Sequence, residues 1–476
     1  MRFNSLIYPL FLAIVVVGLR LLPARLRFGF LLLSSYLFYA SWHWPYLGLL
    51  VGCAALNHFG AVWITQAADR SRRGKIVVAA NIALLALFKY LDWLVVSASS
   101  LATLLGVSNV WQPPHWVLPL GISFYVFESI SYIVDVMRKR EKVHSFWSLQ
   151  LFIAFFPKLI AGPILRAKEL LPQIESAAGV GVRGDFIRGL TQIVIGMFIK
   201  VVLADSLSQD VDNAFSVDAR TLGGTDVYLA AIAFGLQIYF DFSGYSRIAY
   251  GSALLCGIKL VDNFDHPYTA RSPVDFWNRW HMSLSRWIRD YLFYPLMRRQ
   301  TTKLALTRAA ILSMTLCGVW HGAGWTYALW GLYHGLLIAG YHALRGGATP
   351  PAVPSIWRSG LESLVTFGLV MLGWIFFRAA DLTQACELWK HALLPWEYRQ
   401  RALSGTFYLQ TALLTVAVWS APAACRLWTR ATACDPDASS LRRYGLAAVD
   451  GVALGAAVTL CLIYLRGQTA FIYFQF

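Results

Sequence analysis

The sequence predicts an all-α, polytopic membrane protein of about twelve spans, with re-entrant and interfacial helices around a central tunnel. Three observations carry that prediction. Of 476 residues, 57% are hydrophobic and 14% charged, whereas a soluble protein has about a quarter charged. Apolar runs of membrane-crossing length recur from end to end. The alternating strands of about ten residues that mark a membrane barrel are absent from the pattern.

Asn4 to Leu22 reads as the first span and not as a cleavable leader, because it lacks a strongly basic start and a clear cleavage site. The connections that follow alternate in charge. Arg20, Arg25 and Arg27 follow the first span, and Arg70, Arg72, Arg73 and Lys75 follow the third. Arg138, Lys139, Arg140 and Lys142 come two connections later. The intervening stretches, His43 to Pro45 and Gly106 to Trp116, carry no Lys or Arg. The positive-inside rule puts the basic connections in the cytoplasm and the N-terminus outside. Arg166, Lys168, Arg183 and Arg188 continue the inside set, and the aspartate-rich stretch Leu203 to Asp226 reads as outside. Arg298, Arg299, Lys303 and Arg308 are inside again, as are Arg426, Arg430, Arg442 and Arg443 before a last span at Tyr444 to Tyr464. The tail 465–476 is therefore expected outside, with both termini extracytoplasmic. The net charge of +16 is thus accounted for by membrane orientation and contact with lipid, and nucleic acid is not expected as a partner.

Two segments depart from simple crossings. Phe146 to Leu165 is apolar but contains Pro157, Lys158, Gly162 and Pro163, so it is expected to re-enter rather than span. Asp262 to Arg299 is aromatic and basic and is expected to lie as interfacial helices. No long polar linker or internal repeat divides residues 1–476, so a single domain with a short tail is expected. The seven cysteines are scattered without a Cys-x-x-Cys pair and read as small core residues; no metal site is predicted.

One ionisable residue stands out at expected bilayer depth. His321 lies in Cys317-Gly-Val-Trp-His-Gly-Ala-Gly-Trp325, with apolar helical sequence on both sides. Such a group is costly in lipid and marks function, and an imidazole suits proton transfer near neutral pH. Its competing reading is a hydrogen bond between helices. His334 reads as a packing or hydrogen-bonding residue and Lys158 as a snorkelling or paired one. Asp241 either orients a histidine or closes a structural hydrogen bond.

Four runs narrow the chemistry: FFPKLIAGPILR (Phe155–Arg166), QIYFDFSGYSRIAYG (Gln237–Gly251), FWNRWHMSLSRWIRDYLFYPL (Phe276–Leu296) and GVWHGAGWTYALWGLYHG (Gly318–Gly335). In this order they resemble the membrane-bound O-acyltransferase family, in its bacterial polysaccharide branch that modifies alginate and teichoic acid. The resemblance implies that an acyl group, here acetyl, moves from a cytoplasmic thioester to an extracellular polysaccharide. The donor would be acetyl-coenzyme A or an acyl carrier protein, with no bound cofactor. It implies His321 as catalytic base and His281 as a second catalytic residue on the donor side, orienting the thioester or polarising its carbonyl. Asn278 and Arg279 are expected to contact the donor's arm, although any cytoplasmic amphipathic helix can carry such residues. The ending Phe471-Ile-Tyr-Phe-Gln-Phe476 resembles a tail whose tyrosine carries the acyl group, which makes Tyr473 a relay toward an extracytoplasmic esterase-like partner. Tyr473 as an aromatic-belt residue is the plainer reading. Outside acyl transfer, a transporter or a non-catalytic scaffold of an exopolysaccharide secretion system are the alternatives; broken helices at depth are the feature that suggests the first. The bacterial inner membrane is the expected location.

Overall fold

A computed structural model describes residues 3, 5, 7–107, 111–176, 185–297, 302–345, 355–399, 402–432 and 440–464. Helices dominate, and their starts follow local chemistry: Asp69, Ser145, Thr302, Ser355 and Asp381 each accept a backbone N–H of the turn they open. The helices in chain order are α1 (Ile7–Leu21), α2 (Ala24–His43), α3 (Pro45–Thr65), α4 (Arg70–Lys89), α5 (Leu91–Leu104), α6 (Ile122–Met137), α7 (Phe146–Ala154), α8 (Phe156–Leu159), α9 (Ala167–Glu175), α10 (Phe186–Met197) and α11 (Asp205–Ser216). They continue as α12 (Gly224–Leu255), α13 (Pro273–Arg279), α14 (Met282–Ile288), α15 (Tyr294–Met297), α16 (Lys303–His321), α17 (Trp325–Arg345), α18 (Ile356–Arg378), α19 (Leu382–Leu393), α20 (Gly405–Thr432) and α21 (Ser440–Tyr464).

The expectation of about twelve spans is corrected. Among the described residues, six helical segments are long and apolar enough to cross a membrane: Pro45–Thr65, Phe186–Ser216, Gly224–Leu255, Lys303–His321, Ile356–Arg378 and Gly405–Arg430. A seventh arises if α4 and α5, bent by 69° at their junction, count as one broken span. The overcount has a physical origin. α1 has 15 residues, about 22 Å of helix, short of a hydrocarbon core of about 30 Å. The apolar part of α21, Ala448–Tyr464, is likewise short. α17 is long, but its five histidine and tyrosine side chains from Tyr327 to His342 dilute its apolar character. An apolar run in sequence does not distinguish burial in lipid from burial in protein.

The chain forms two compact units, Met1–Ile193 with Tyr245–Val261, and Val194–Gly244 with Asp262–Phe476. No linker separates them in sequence, since α12 is one uninterrupted helix with residues in each.

In the first unit, Asn57 and Asn81 are fully buried and exchange side-chain amide hydrogen bonds of 3.0 and 2.9 Å, tying α3 to α4. The segment expected to re-enter is broken: α7 ends at Phe155, whose φ of −51° and ψ of 105° leave helical space, and α8 lasts four residues. Residues 148–165 are all buried, so this irregular backbone is enclosed by protein, as a low-dielectric setting requires. Lys158 pairs with buried Glu128, whose second oxygen accepts the Leu165 N–H at 3.0 Å. Of the two readings of Lys158, pairing is the one observed.

The second unit holds a comparable device. Phe198–Ala204 winds as a π-helix, and Lys200 within it reaches both Asp205 and Asp241 at 2.6 Å. Asp241 thus belongs to a buried ion cluster. The stretch after Asp262 forms α13, of seven residues, and then a continuous helical run in which α14 passes through the π-helical turns Arg289–Phe293 into α15; neither is among the segments long and apolar enough to cross a membrane.

Candidate active site

The site grows from the α16–α17 hairpin of the second unit. Glycine lets these two backbones touch: a Cβ on Gly318 would lie 2.1 Å from the Tyr327 carbonyl oxygen, and one on Gly331 would lie 2.3 Å from that of Met314. α16 ends at His321 because Gly322 turns extended, at φ −152° and ψ 149°. The ring of Tyr327 packs against Gly322 where a side chain would otherwise stand. His321 is thereby fixed at a helix end with 3% of its surface exposed. Its imidazole sits among rings: Trp320 at 4.8 Å, Trp330 at 5.1 Å and Phe377 at 5.4 Å between centroids. Trp330 also lies 5.0 Å from the ring of His334. His334 Nδ1 accepts the indole N–H of Trp277 at 3.3 Å, so of the packing and hydrogen-bonding expected of this residue, a hydrogen bond joins α17 to α13.

His281 is fully buried and occupies the left-handed region, φ 42° and ψ 55°, immediately before α14. A side chain held there costs about 1–3 kcal/mol of strain and persists only where the surroundings enforce it. Asn263 supplies the enforcement. Its Oδ1 accepts the Ser283 backbone N–H at 3.1 Å and the Ser283 hydroxyl at 2.8 Å, and lies 3.2 Å from His281 Nδ1. Its carbonyl accepts the Met282 N–H at 2.9 Å. A backbone N–H can only donate, so Oδ1 is an acceptor, and His281 Nδ1 must carry the proton. The basic lone pair is then on Nε2. Burial pushes the His281 pKa down to about 3, which keeps the ring neutral near physiological pH. The Phe242 ring meets it edge-on at 4.6 Å, and Trp320 lies 6.4 Å away. One indole, Trp320, therefore neighbours both imidazoles.

The donor-side candidates diverge. Asn278 is exposed on α13. Arg279 is partly buried, donates to Asp275 at 2.8 Å, and lines a cleft of about 1190 Å³. Tyr473 lies outside the described residues. The fold thus sets His321 and His281, the two histidines singled out in sequence, against the same indole, and adds Asn263, which sequence reading did not single out. A polar residue in the short linker after α12 carries no motif of its own.

A model of the membrane-bound O-acyltransferase family matches residues 36–353. The chain is 39% identical to the probable alginate O-acetylase of Azotobacter vinelandii, over 81% of this chain and 76% of that protein. It is 36% identical to the peptidoglycan O-acetyltransferase of Helicobacter pylori over 76% of this chain and 72% of that one. A more distant similarity, 31%, links 56% of it to 70% of the teichoic acid D-alanyltransferase of Bacillus subtilis.

Proposed function

The chain belongs to the membrane-bound O-acyltransferase family, and from that premise we propose that it transfers an acetyl group from a cytoplasmic thioester to an extracellular polysaccharide. The observation that carries the reading is the gathering of His321 and His281 about Trp320 within the stretch that the family matches. The relatives whose names specify O-acetylation of alginate or peptidoglycan favour acetyl and a polymer acceptor.

The chemistry is a base-assisted acyl transfer. An acceptor hydroxyl gives its proton to the His321 imidazole while its oxygen attacks the thioester carbonyl. The carbon–sulfur bond then breaks, and the thiolate recovers a proton from the imidazolium. Such a base contributes roughly 100- to 10,000-fold. His281, neutral with its lone pair on Nε2, serves the donor end; its neutrality suits orienting the thioester and excludes donating charge to it. Asn278 and Arg279 contact the arm of acetyl-coenzyme A or an acyl carrier protein. The first acceptor is Tyr473, because a phenol, which ordinarily ionises near pH ~10, is more easily activated than a sugar hydroxyl. From there an extracytoplasmic esterase-like partner takes the acetyl to the polymer. This requires the basic connections to face the cytoplasm and α21, although its apolar part is short, to carry the tail outward in a bacterial inner membrane. A transporter has less support, since Lys158 and Asp241, polar groups at depth, are held in internal ion pairs.

The test is acyl transfer by the purified chain given acetyl-labelled thioester, followed by mass measurement of the intact protein. Label on the C-terminal peptide containing Tyr473, passed on when partner and polymer are added, supports the reading. Transport of a solute with no acylated product would replace it.

A further inference from the structure

Apart from Arg279, the cleft that this residue lines is built of groups that the acyl-transfer chemistry does not use. It opens between the first turns of α18, the last turns of α20 and the loop carrying Asp265 and His266. Arg426 and Arg430, one turn apart on α20, form one wall, and Arg279 stands with them. Asp265 is the one carboxylate among the lining residues, and Arg279 is already engaged with Asp275. Arg426 and Arg430 are exposed and form no ion pair among the described residues. The rest of the lining includes Ile356, Trp419 and Pro422. Next to it, Ile356, Trp357 and Leu361 are 83%, 86% and 63% exposed on α18, a helix of membrane-crossing length.

We propose that this cleft binds the headgroup of an anionic phospholipid of the cytoplasmic leaflet. Two arginines without carboxylate partners call for a negative ligand, and the guanidinium geometry suits phosphate oxygens. Basic pockets between membrane helices on the cytoplasmic side are a natural place for such headgroups. The exposed apolar side chains at the same end of α18 offer a surface for acyl chains, which a soluble phosphate would leave unused. The inference rests on the orientation proposed above, which puts this end of α18 and α20 at the cytoplasmic face. It also has a consequence for the site. The Asp265 N–H donates to the Arg279 carbonyl at 3.0 Å, and Asn263, two residues earlier, holds His281. A lipid at the cleft would steady the loop that fixes the donor-side imidazole.

The experiment is native mass spectrometry of the full chain exchanged into phosphatidylglycerol or phosphatidylcholine, with acetyl transfer measured in the same membranes. Each basic group near a membrane surface is worth about fivefold in affinity for anionic lipid. R426Q/R430Q should therefore bind phosphatidylglycerol about thirtyfold more weakly than the unaltered protein, with phosphatidylcholine binding unchanged. R426K/R430K, which keeps the charge, should retain most of the preference; this guards against a variant that merely misfolds. Transfer should be faster in phosphatidylglycerol for the unaltered protein and indifferent to headgroup charge for R426Q/R430Q. Equal retention of phosphatidylglycerol by all three proteins overturns the proposal. So does displacement of the lipid by coenzyme A with the same dependence on Arg426 and Arg430, which would assign the cleft to donor phosphates. Lipid retention is read without turnover, so absence of acetyl transfer would count against the proposed function alone.

Discussion

Replacing Asn263 by alanine should disable the donor side without touching either histidine. Asn263 Oδ1 faces three donors, the His281 ring at 3.2 Å, the Ser283 N–H at 3.1 Å and the Ser283 hydroxyl at 2.8 Å. The hydroxyl can rotate to another acceptor, and His281 can exchange tautomers. The Ser283 N–H, buried at the start of α14, has no such freedom, and an unsatisfied buried donor costs about 1–3 kcal/mol. Adding about 1 kcal/mol for the space left behind gives a total loss of roughly 2–4 kcal/mol. Part of it is returned when His281 relaxes out of the left-handed conformation that the clamp enforced. That relaxation is the functional damage: the imidazole is no longer aimed. N263A should lower kcat for acetyl transfer by roughly 10- to 100-fold, the scale expected when a catalytic group is misplaced by about 1 Å. The assay is steady-state transfer from labelled acetyl-coenzyme A by purified protein, with H281A and N263A/H281A alongside. If Asn263 acts through His281, the double variant is no slower than H281A. Multiplying effects would refute the positioning argument, as would N263A at full rate beside an inactive H281A.

Three further outcomes are expected. Gly331→Ala should sharply lower the thermal midpoint, because its Cβ would meet a backbone oxygen at 2.3 Å, whereas Gly340→Ala on the same helix, with nothing within 4 Å, should be neutral or stabilising; similar behaviour of the two would discount the close α16–α17 approach. The depressed pKa of His281 means that, between about 6.5 and about 3, the unfolded chain binds the proton and the folded chain does not, so this contribution to stability is full above about pH 6.5 and declines as pH falls. H281Q should therefore lose less thermal stability than the unaltered protein between about pH 7 and about pH 5, and equal losses would argue that His281 titrates normally. Tyr473→Phe should abolish the acyl adduct on the C-terminal peptide; polymer acetylation at the normal rate in that variant would leave the tail as an anchor.

His321 is legible in sequence because a titratable residue between apolar runs is rare, and the glycines around it are spaced for helix contact. His281 is legible only through the family's run of aromatic and basic residues. Asn263 is not, since its role depends on an approach of two linkers that no periodicity encodes. Nor is Glu128 as the partner of Lys158, 30 positions away, or the meeting of Lys200 with Asp241 of α12. The number of spans is overestimated from sequence for a related reason. Residues 148–165 are as apolar as a span yet are enclosed by protein, and composition reports distaste for water without naming what replaces it. The broken backbone within that segment, by contrast, follows directly from Pro157 and the residues around it.

The most direct measurement of the central claim compares H321A and H321Q with the unaltered protein in single-turnover acetyl transfer, after confirming that all three purify with the same thermal midpoint. Both variants should be slower by roughly 100-fold or more, with donor binding preserved. Transfer at an undiminished rate by folded H321A would contradict that claim.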